Sequence, residues 1–307
     1  MADVRLRVVT GPTGAGKSAL VLALAARIPL GVVSADSRQV YRGFDIGTAK
    51  PTAAERTCAP HSGIDVADPH TRYSAAAWAN GATAWIDDIR HAGREPVVVG
   101  GTGFYVRALT SPLFLEPELD VHRRQEIAKH LRTLRLQELQ RWCNALDPAR
   151  AGLGRAQLER AIEVSLLTGI PLSQWHRTAP GAKPLRARYL VVDPGPALGP
   201  MLAARLDAML AGGWPDEVRA LDARVSAAAP AWNATGYSVV RSLARGEIGM
   251  ADAREQILIA TRQYAKRQRT WIRNQLAPGD VTRIDPRDRN ALDRALAWWH
   301  DAPEGMG

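Results

Sequence analysis

The eight residues Gly11-Pro12-Thr13-Gly14-Ala15-Gly16-Lys17-Ser18 constrain the fold more than any other part of the chain. They follow an apolar run, Val4 to Thr10, and lead into the alanine- and leucine-rich segment Ala19 to Arg27. Strand, glycine loop and helix in that order satisfy the phosphate-binding pattern G-x-x-x-x-G-K-[ST] without a mismatch. The residue types follow from the chemistry. Glycines let backbone N–H groups turn inward around phosphate oxygens, and the helix N-terminus adds partial positive charge. Lys17 supplies a mobile cation, and the Ser18 hydroxyl is suited to ligate a Mg²⁺ that also holds the phosphates. The pattern predicts an α/β fold whose core is a parallel, phosphate-loop (P-loop NTPase-like) sheet. It leaves open which polyphosphate binds and what happens to it.

The remaining composition narrows the class. At 307 residues and 46% hydrophobic the chain can bury a sizeable core. No apolar run approaches the length of a membrane span. The loop begins within a dozen residues of Met1, so neither a signal nor a transit peptide is expected. Cys58 and Cys143 stand far apart with no metal-type spacing, which suits free thiols in a reducing cytoplasm and argues against a zinc module. The net charge of +9 suits a polyanionic partner, nucleic acid above all. A generally arginine-rich composition is the plainer explanation, and the positions of the arginines must decide between them.

After the first helix comes Gly31-Val32-Val33-Ser34, a short strand expected beside the first, and then Ala35-Asp36-Ser37-Arg38-Gln39-Val40-Tyr41. Ligands of open α/β sheets bind outside the carboxyl ends of the strands, so Asp36 is placed to reach a group on the loop. Capping of a following helix is its other reading. Residues Phe44 to Tyr73 read as a surface connection, with His61 in it. Ser74 to His91 predicts an amphipathic helix, with Ala77, Trp78, Trp85 and Ile89 on its apolar side.

Pro96-Val97-Val98-Val99 is a buried-strand signal, followed by Gly100-Gly101-Thr102-Gly103. Three glycines around one threonine suit close approach of backbone to ligand, and Thr102 can bond a phosphate or a base. A nucleotide hydrolase of this type ends such a strand with an aspartate that holds Mg²⁺; glycine stands here, which favours a transferase or kinase.

Leu115 to about Gly169 is dominated by helical periodicity, and residues 115–185 are expected to form a mostly helical insertion that contacts tRNA. Residues 1–114 and 186–307 then form the catalytic core. The insertion carries Arg123, Arg124, Lys129, Arg132, Arg135 and Arg141, for most of which a solvated face is expected, and a helix from Arg155 to Leu167. Pro180 to Leu185 reads as a loop, Arg188 to Asp193 as a returning strand, and Pro200 to Leu210 and Pro215 to Arg224 as helices broken at Gly212-Gly213. In Ala251 to Asn274, Arg262, Lys266, Arg269 and Arg273 recur at offsets of four, three and four, on one face of a helix, with Arg267 beside them. No acid occurs from Thr261 to Arg273. Like charges so spaced destabilise a free helix, and a phosphate-rich partner is the simplest reason for them. Tyr264, Gln268 and Trp271 follow another face, the packed one. The tail after Asp280 reads as peripheral. No repeat or low-complexity segment is evident.

Taken together, these phrases resemble the bacterial tRNA dimethylallyltransferases (the tRNA isopentenyltransferase, or IPP transferase, family). The resemblance is carried by the phosphate loop, by Ser34-Ala35-Asp36-Ser37-Arg38-Gln39-Val40-Tyr41-Arg42-Gly43, by Asp45-Ile46-Gly47-Thr48-Ala49-Lys50-Pro51 and by Val99-Gly100-Gly101-Thr102-Gly103-Phe104-Tyr105. It continues through Arg160-Ala161-Ile162-Glu163-Val164, Thr168-Gly169, Gly236-Tyr237 and the run from Thr261 to Trp271. These cover nearly the whole chain in family order.

The resemblance implies transfer of a dimethylallyl group from dimethylallyl diphosphate to the exocyclic N6 amine of the adenosine 3′-adjacent to the anticodon. The tRNAs are those reading codons that begin with U, and diphosphate is released. It implies Asp36 as base, Thr102 as substrate orienter, Lys17 and Arg205 at the diphosphate, and Gly11 to Ser18 as the diphosphate or nucleotide cradle, with Mg²⁺ on Ser18. It implies tRNA contact at Asp36, Ser37, Arg38, Gln39, Thr102, Arg124, Gln157, Arg160, Asn233, Gly236, Tyr237, Lys266, Arg267, Arg269 and Arg273. The partners are then the tRNA anticodon stem-loop and dimethylallyl diphosphate; the free thiols suit a cytoplasmic setting, and a monomer is the default expectation. The chain departs from the usual family pattern at Leu153, Gly154, Gln157 and Asn233, and it lacks the C-terminal zinc finger of eukaryotic relatives. The competing readings are a small-molecule kinase using ATP at the same loop and a non-catalytic RNA-binding protein. Neither accounts for Asp36, the glycine-threonine loop and the basic helix together.

Overall fold

The computed structural model describes residues 5–111, 119–178 and 184–301. The chain divides into two compact units, residues 1–110 with 185–307, and residues 111–184. The expected boundary at 114 falls in 112–118, outside the described residues, as do Val4 and residues 180–183 of the expected loop.

The first unit begins β1 (Leu6–Thr10), α1 (Lys17–Ala25), β2 (Leu30–Ser34), α2 (Ala53–Cys58), β3 (His61–Ser62), α3 (Ala75–His91), β4 (Glu95–Val99) and α4 (Gly103–Thr110). The second unit holds α5 (Val121–Thr133), α6 (Leu136–Leu146), α7 (Arg155–Thr168) and α8 (Leu172–Thr178). The first unit resumes with β5 (Ala187–Val192), α9 (Leu198–Ala211), α10 (Trp214–Asp222), α11 (Tyr237–Ala244), α12 (Met250–Gln275), β6 (Val281–Ile284) and α13 (Ala291–His300).

The six strands form one sheet in the order β3-β2-β4-β1-β5-β6, and every pair is parallel. A parallel sheet is covered on both faces, so its strands read as unbroken apolar runs rather than alternating ones. Val8, Val9, Val97, Val98, Leu190 and Val191 are accordingly buried. Because all strands run one way, the loops after β1, β2, β4 and β5 emerge at one edge, where ligands of such sheets bind.

Four expectations are corrected. β2 does not lie beside β1; β4 is inserted between them. That brings the glycine-threonine loop between the phosphate loop and Asp36. Residues 44–73 are not only a surface connection. Phe44 is fully buried against Trp232 and Tyr237, and the almost wholly buried Lys50 Nζ donates to Tyr41 O at 2.6 Å and bridges Asp45 and Asp65. On α3 the buried face is Ala75, Trp78, Ala79, Ala82, Ile86 and Ile89, while Ala77 is exposed and Trp85 half-buried. Trp78 Nε1 donates to Ser34 O at 2.9 Å and so fixes the end of β2 from which Asp36 follows.

The tail is not peripheral. β6 extends the sheet beside β5, and α13 buries Ala291, Ala295, Trp298 and Trp299. Arg7 lies 4.5 Å over the Trp299 ring and donates to its carbonyl. Periodicity alone does not show this, because β6 is only four residues long and of mixed polarity.

In the second unit, Leu131, Leu139, Cys143, Leu158, Ile162 and Leu172 form the core. Among the described residues no helix is long and apolar enough to cross a membrane, and no cluster of three or more His, Cys, Asp or Glu side chains is poised for a metal.

Candidate active site

The phosphate loop leaves β1 and enters α1 through Gly16, which holds a left-handed φ of 86° at the helix N-cap. No side chain caps this helix. Its first N–H groups are thus left to an anion at the positive end of the helix. Lys17 Nζ donates to Gly11 O at 2.9 Å and Pro12 O at 2.7 Å, folding back over the loop. Burial, reinforced by the nearby Arg205 charge, holds the Lys17 ammonium down to about 8, against the opposing pull of Asp36 and Asp193.

Asp36 follows β2, and its Oδ1 accepts from Arg38 N at 2.8 Å. It therefore does cap a backbone turn, over residues 37–40, although no helix follows there. Its other oxygen has no protein donor among the described residues. Thr102 stitches this segment to the loop after β4: Thr102 N donates to Ala35 O at 3.2 Å, and Thr102 Oγ1 accepts from Ser37 N at 3.1 Å. Gly100 makes the approach possible, since a Cβ there would lie 2.2 Å from Ala35 O.

Asp36, Arg38, Thr13, Arg205 and Tyr264 line one pocket, whose remaining walls include Leu202, Leu206, Met209, Trp214 and Ile257. One end is thus cationic and the flank apolar. Burial lowers the Arg205 pKa, with Asp36 pulling the other way. No hydrogen bond or ion pair holds the Arg205 guanidinium among the described residues. A half-buried cation without a carboxylate is poised for an anionic ligand. Burial, together with the charge of Asp36, pushes the Tyr264 phenol up to about 12, while its hydrogen bond with Thr102 acts the other way.

The structure places the other expected residues differently. Gln39 accepts from Ser34 Oγ at 2.9 Å and donates to Ala49 O at 3.0 Å, so it braces the loop from within. Tyr237 is fully buried, and its hydroxyl donates to Glu217 Oε1 at 2.7 Å; burial and that carboxylate hold its phenol well above the ordinary range. Gly236 is buried against Trp214, whereas Asn233 is exposed. Tyr237 and Gly236 are thus enclosed, while the neighbouring Ala234 and Thr235 line the pocket. Arg124 and Arg160 both bond the buried Glu163 carboxylate, and Gln157 Oε1 accepts from Gly154 N at 3.2 Å to cap α7.

Arg262, Lys266, Arg267 and Arg273 are exposed along α12, as the helical spacing requires. Arg269 is not part of that free stripe. Its guanidinium bonds both oxygens of Asp193 and also Gly195 O. Tyr264 and Gln268 do face inward, while Trp271 is half-buried against Gly103. Tyr264 and Trp214 line the pocket, and Asp193 and Gln268 bond Arg269 and Thr13 beside it, placements that the sequence reading did not assign to them. For Gln268 the available signal was a polar side chain on the packed face of α12.

A family model described as "IPP transferase" matches residues 39–275, and one described as "Isopentenyl transferase" matches residues 4–59. The chain belongs to the IPP transferase family. Among curated relatives, a tRNA dimethylallyltransferase of Stenotrophomonas maltophilia (strain K279a) is 42% identical over 91% of this chain and 91% of its own. A solved tRNA isopentenylpyrophosphate transferase from Staphylococcus epidermidis superposes with a TM-score of 0.65 at 29% identity, covering 96% of this chain and 99% of that one. A eukaryotic dimethylallyltransferase solved acting on tRNA superposes with a TM-score of 0.80 at 26% identity, covering 95% of this chain and 78% of that one.

Proposed function

We propose that this enzyme transfers a dimethylallyl group from dimethylallyl diphosphate to the N6 amine of the adenosine 3′-adjacent to the anticodon in tRNAs reading codons that begin with U. The observation that carries the reading is that the Asp36 carboxylate and the unpaired Arg205 guanidinium line one pocket with an apolar flank. Family membership supports it, and gives no support to the kinase alternative.

The chemistry follows from the parts. The bond between the allylic carbon and the diphosphate oxygen breaks, and the electron pair leaves with diphosphate. Lys17, Arg205 and the loop amides stabilise that charge where it develops. Leu202, Leu206, Met209 and Trp214 shield the allylic group from water. The adenine nitrogen forms the new bond to carbon and gives its proton to Asp36. Thr102, bonded to Ser37 N, orients the acceptor beside Asp36. The base must leave its stack to reach a pocket of this kind.

The exposed Ser18 hydroxyl carries no protein hydrogen bond among the described residues and heads α1 beside the loop. With no acidic cluster there, the donor set is one hydroxyl plus substrate oxygens and water, which fits Mg²⁺. The ion would neutralise diphosphate charge. The cations Arg262, Lys266 and Arg267 meet RNA phosphates, and the enzyme acts in the cytoplasm as a monomer. The test incubates the protein with Mg²⁺, labelled dimethylallyl diphosphate and unmodified tRNA. Label at the adenosine beside the anticodon supports the reading; no label in RNA removes it.

A further inference from the structure

Gln268 is a buried polar side chain, 7% exposed, whose amide is engaged at both ends. Its Oε1 accepts from Thr13 N in the phosphate loop at 2.7 Å, and its Nε2 donates to Gly101 O in the glycine-threonine loop at 2.9 Å. The two loops it bridges serve the two partners of the proposed reaction. One cradles the leaving group; the other carries Thr102 and, through Ala35 and Ser37, is stitched to Asp36. A Cβ at Gly101 would sit 2.2 Å from Gln268 Nε2, so a side chain there would displace the amide from its bridge.

We infer that Gln268 is a positioning residue that sets the separation between the diphosphate cradle and the acceptor loop. The inference rests on the proposed transfer reaction for its kinetic expression, though not for its geometry. Two features favour glutamine over other residues here. The bridge needs an acceptor and a donor on one planar group, which an amide supplies and a carboxylate does not. A charged side chain in that place would stand against either the loop amides or the Gly101 carbonyl. The anchoring helix is α12, which also exposes Arg262, Lys266 and Arg267. A rigid helix thus joins the proposed RNA-facing surface to the spacing of the reacting groups. A misplacement of about 1 Å between reactants is enough to cost on the order of a hundredfold in rate.

The test compares Gln268→Ala and Gln268→Glu with the parent enzyme in single-turnover transfer and in tRNA binding. Gln268→Ala is expected to slow transfer by roughly tenfold or more at saturating substrates, with the tRNA Kd within about twofold of the parent because the exposed cations are untouched. Gln268→Glu distinguishes positioning from a purely structural role. Protonated, its carboxyl offers both the acceptor and the donor; ionised, it offers acceptors only. Its rate relative to the parent should therefore rise as the pH is lowered from about 8 to about 6. A Gln268→Ala rate within about twofold of the parent, or a Gln268→Glu ratio flat over that range, overturns the inference. Should the alanine variant fail to fold, the glutamate profile alone decides. If the parent enzyme itself transfers nothing, the reaction reading has failed, and the clamp is judged by inorganic diphosphate binding. Weaker binding to Gln268→Ala, recovered in Gln268→Glu at low pH, then supports it, and equal affinities overturn it.

Discussion

The Arg269 guanidinium and the Asp193 carboxylate meet through two hydrogen bonds, Nε to Oδ2 at 2.9 Å and Nη2 to Oδ1 at 2.5 Å. Asp193 stands directly after β5 and also raises the affinity of Lys17 for its proton. The pair therefore joins the basic helix to the strand beside the phosphate loop. It also removes one cation from the exposed stripe, which separates Arg269 from its neighbours in any measurement of RNA affinity.

Lys266→Ala is expected to weaken tRNA binding and to reduce the slope of log affinity against log salt by about one. Arg269→Ala is expected to leave that slope nearly unchanged, because Asp193 already neutralises the charge. Filter-binding titrations across salt concentrations compare the two. Equal slope losses would show that Arg269 swings free of Asp193 to meet RNA.

Lys17 makes the site pH-dependent. Its pKa in the folded protein lies at about 8, below the ordinary lysine value of 10.5. The ammonium is thus present below about pH 8 and lost as pH rises through that value, and diphosphate affinity falls with it. The stability sign is the reverse. Between about 8 and 10.5 the unfolded chain binds the extra proton, so this group's contribution to stability rises with pH there. Calorimetry of inorganic diphosphate with Mg²⁺ over that range should show the affinity loss in the parent enzyme and none in Lys17→Arg, whose guanidinium stays charged. A parent affinity flat through pH 8 to 10 contradicts it.

Gly100→Ala introduces a Cβ that would lie 2.2 Å from Ala35 O, between two backbones that cannot turn aside. Overpacking of this kind costs about 1–3 kcal/mol. The expected result is a lowered denaturation midpoint together with slower transfer, since Thr102 and Asp36 depend on the same contact. A midpoint unchanged within error would show that the loops are looser than their hydrogen bonds imply.

Trp299→Ala should destabilise by about 3–5 kcal/mol, as expected for truncating a buried aromatic. Trp299 is 1% exposed, and Arg7 stacks on it from β1. Urea denaturation measures the cost. A loss under about 1 kcal/mol would return the tail to the peripheral role that its sequence suggested.

These outcomes mark where the sequence was legible. The phosphate loop, the glycine-threonine loop and Asp36 are local patterns, each placed at a strand end by its own neighbours. The spacing on α12 located the exposed face correctly for Arg262, Lys266 and Arg273. What stayed hidden depends on pairings distant in sequence. Arg269 finds Asp193 across 76 residues, and Gln268 finds Thr13 across 255. The tRNA contact that the resemblance implies for Tyr237 gives no sign that Glu217 and Phe44 enclose it. β6 is too short to announce itself and becomes a strand only because β5 offers an open edge.

In the proposed reaction Asp36 accepts the proton of the acceptor amine at the diphosphate pocket. Single-turnover transfer by Asp36→Asn, with labelled dimethylallyl diphosphate and unmodified tRNA, tests it most directly. The variant is expected still to bind inorganic diphosphate and tRNA but to transfer label slower by roughly two orders of magnitude or more. Transfer at nearly the parent rate, with the label on the same adenosine, would contradict it.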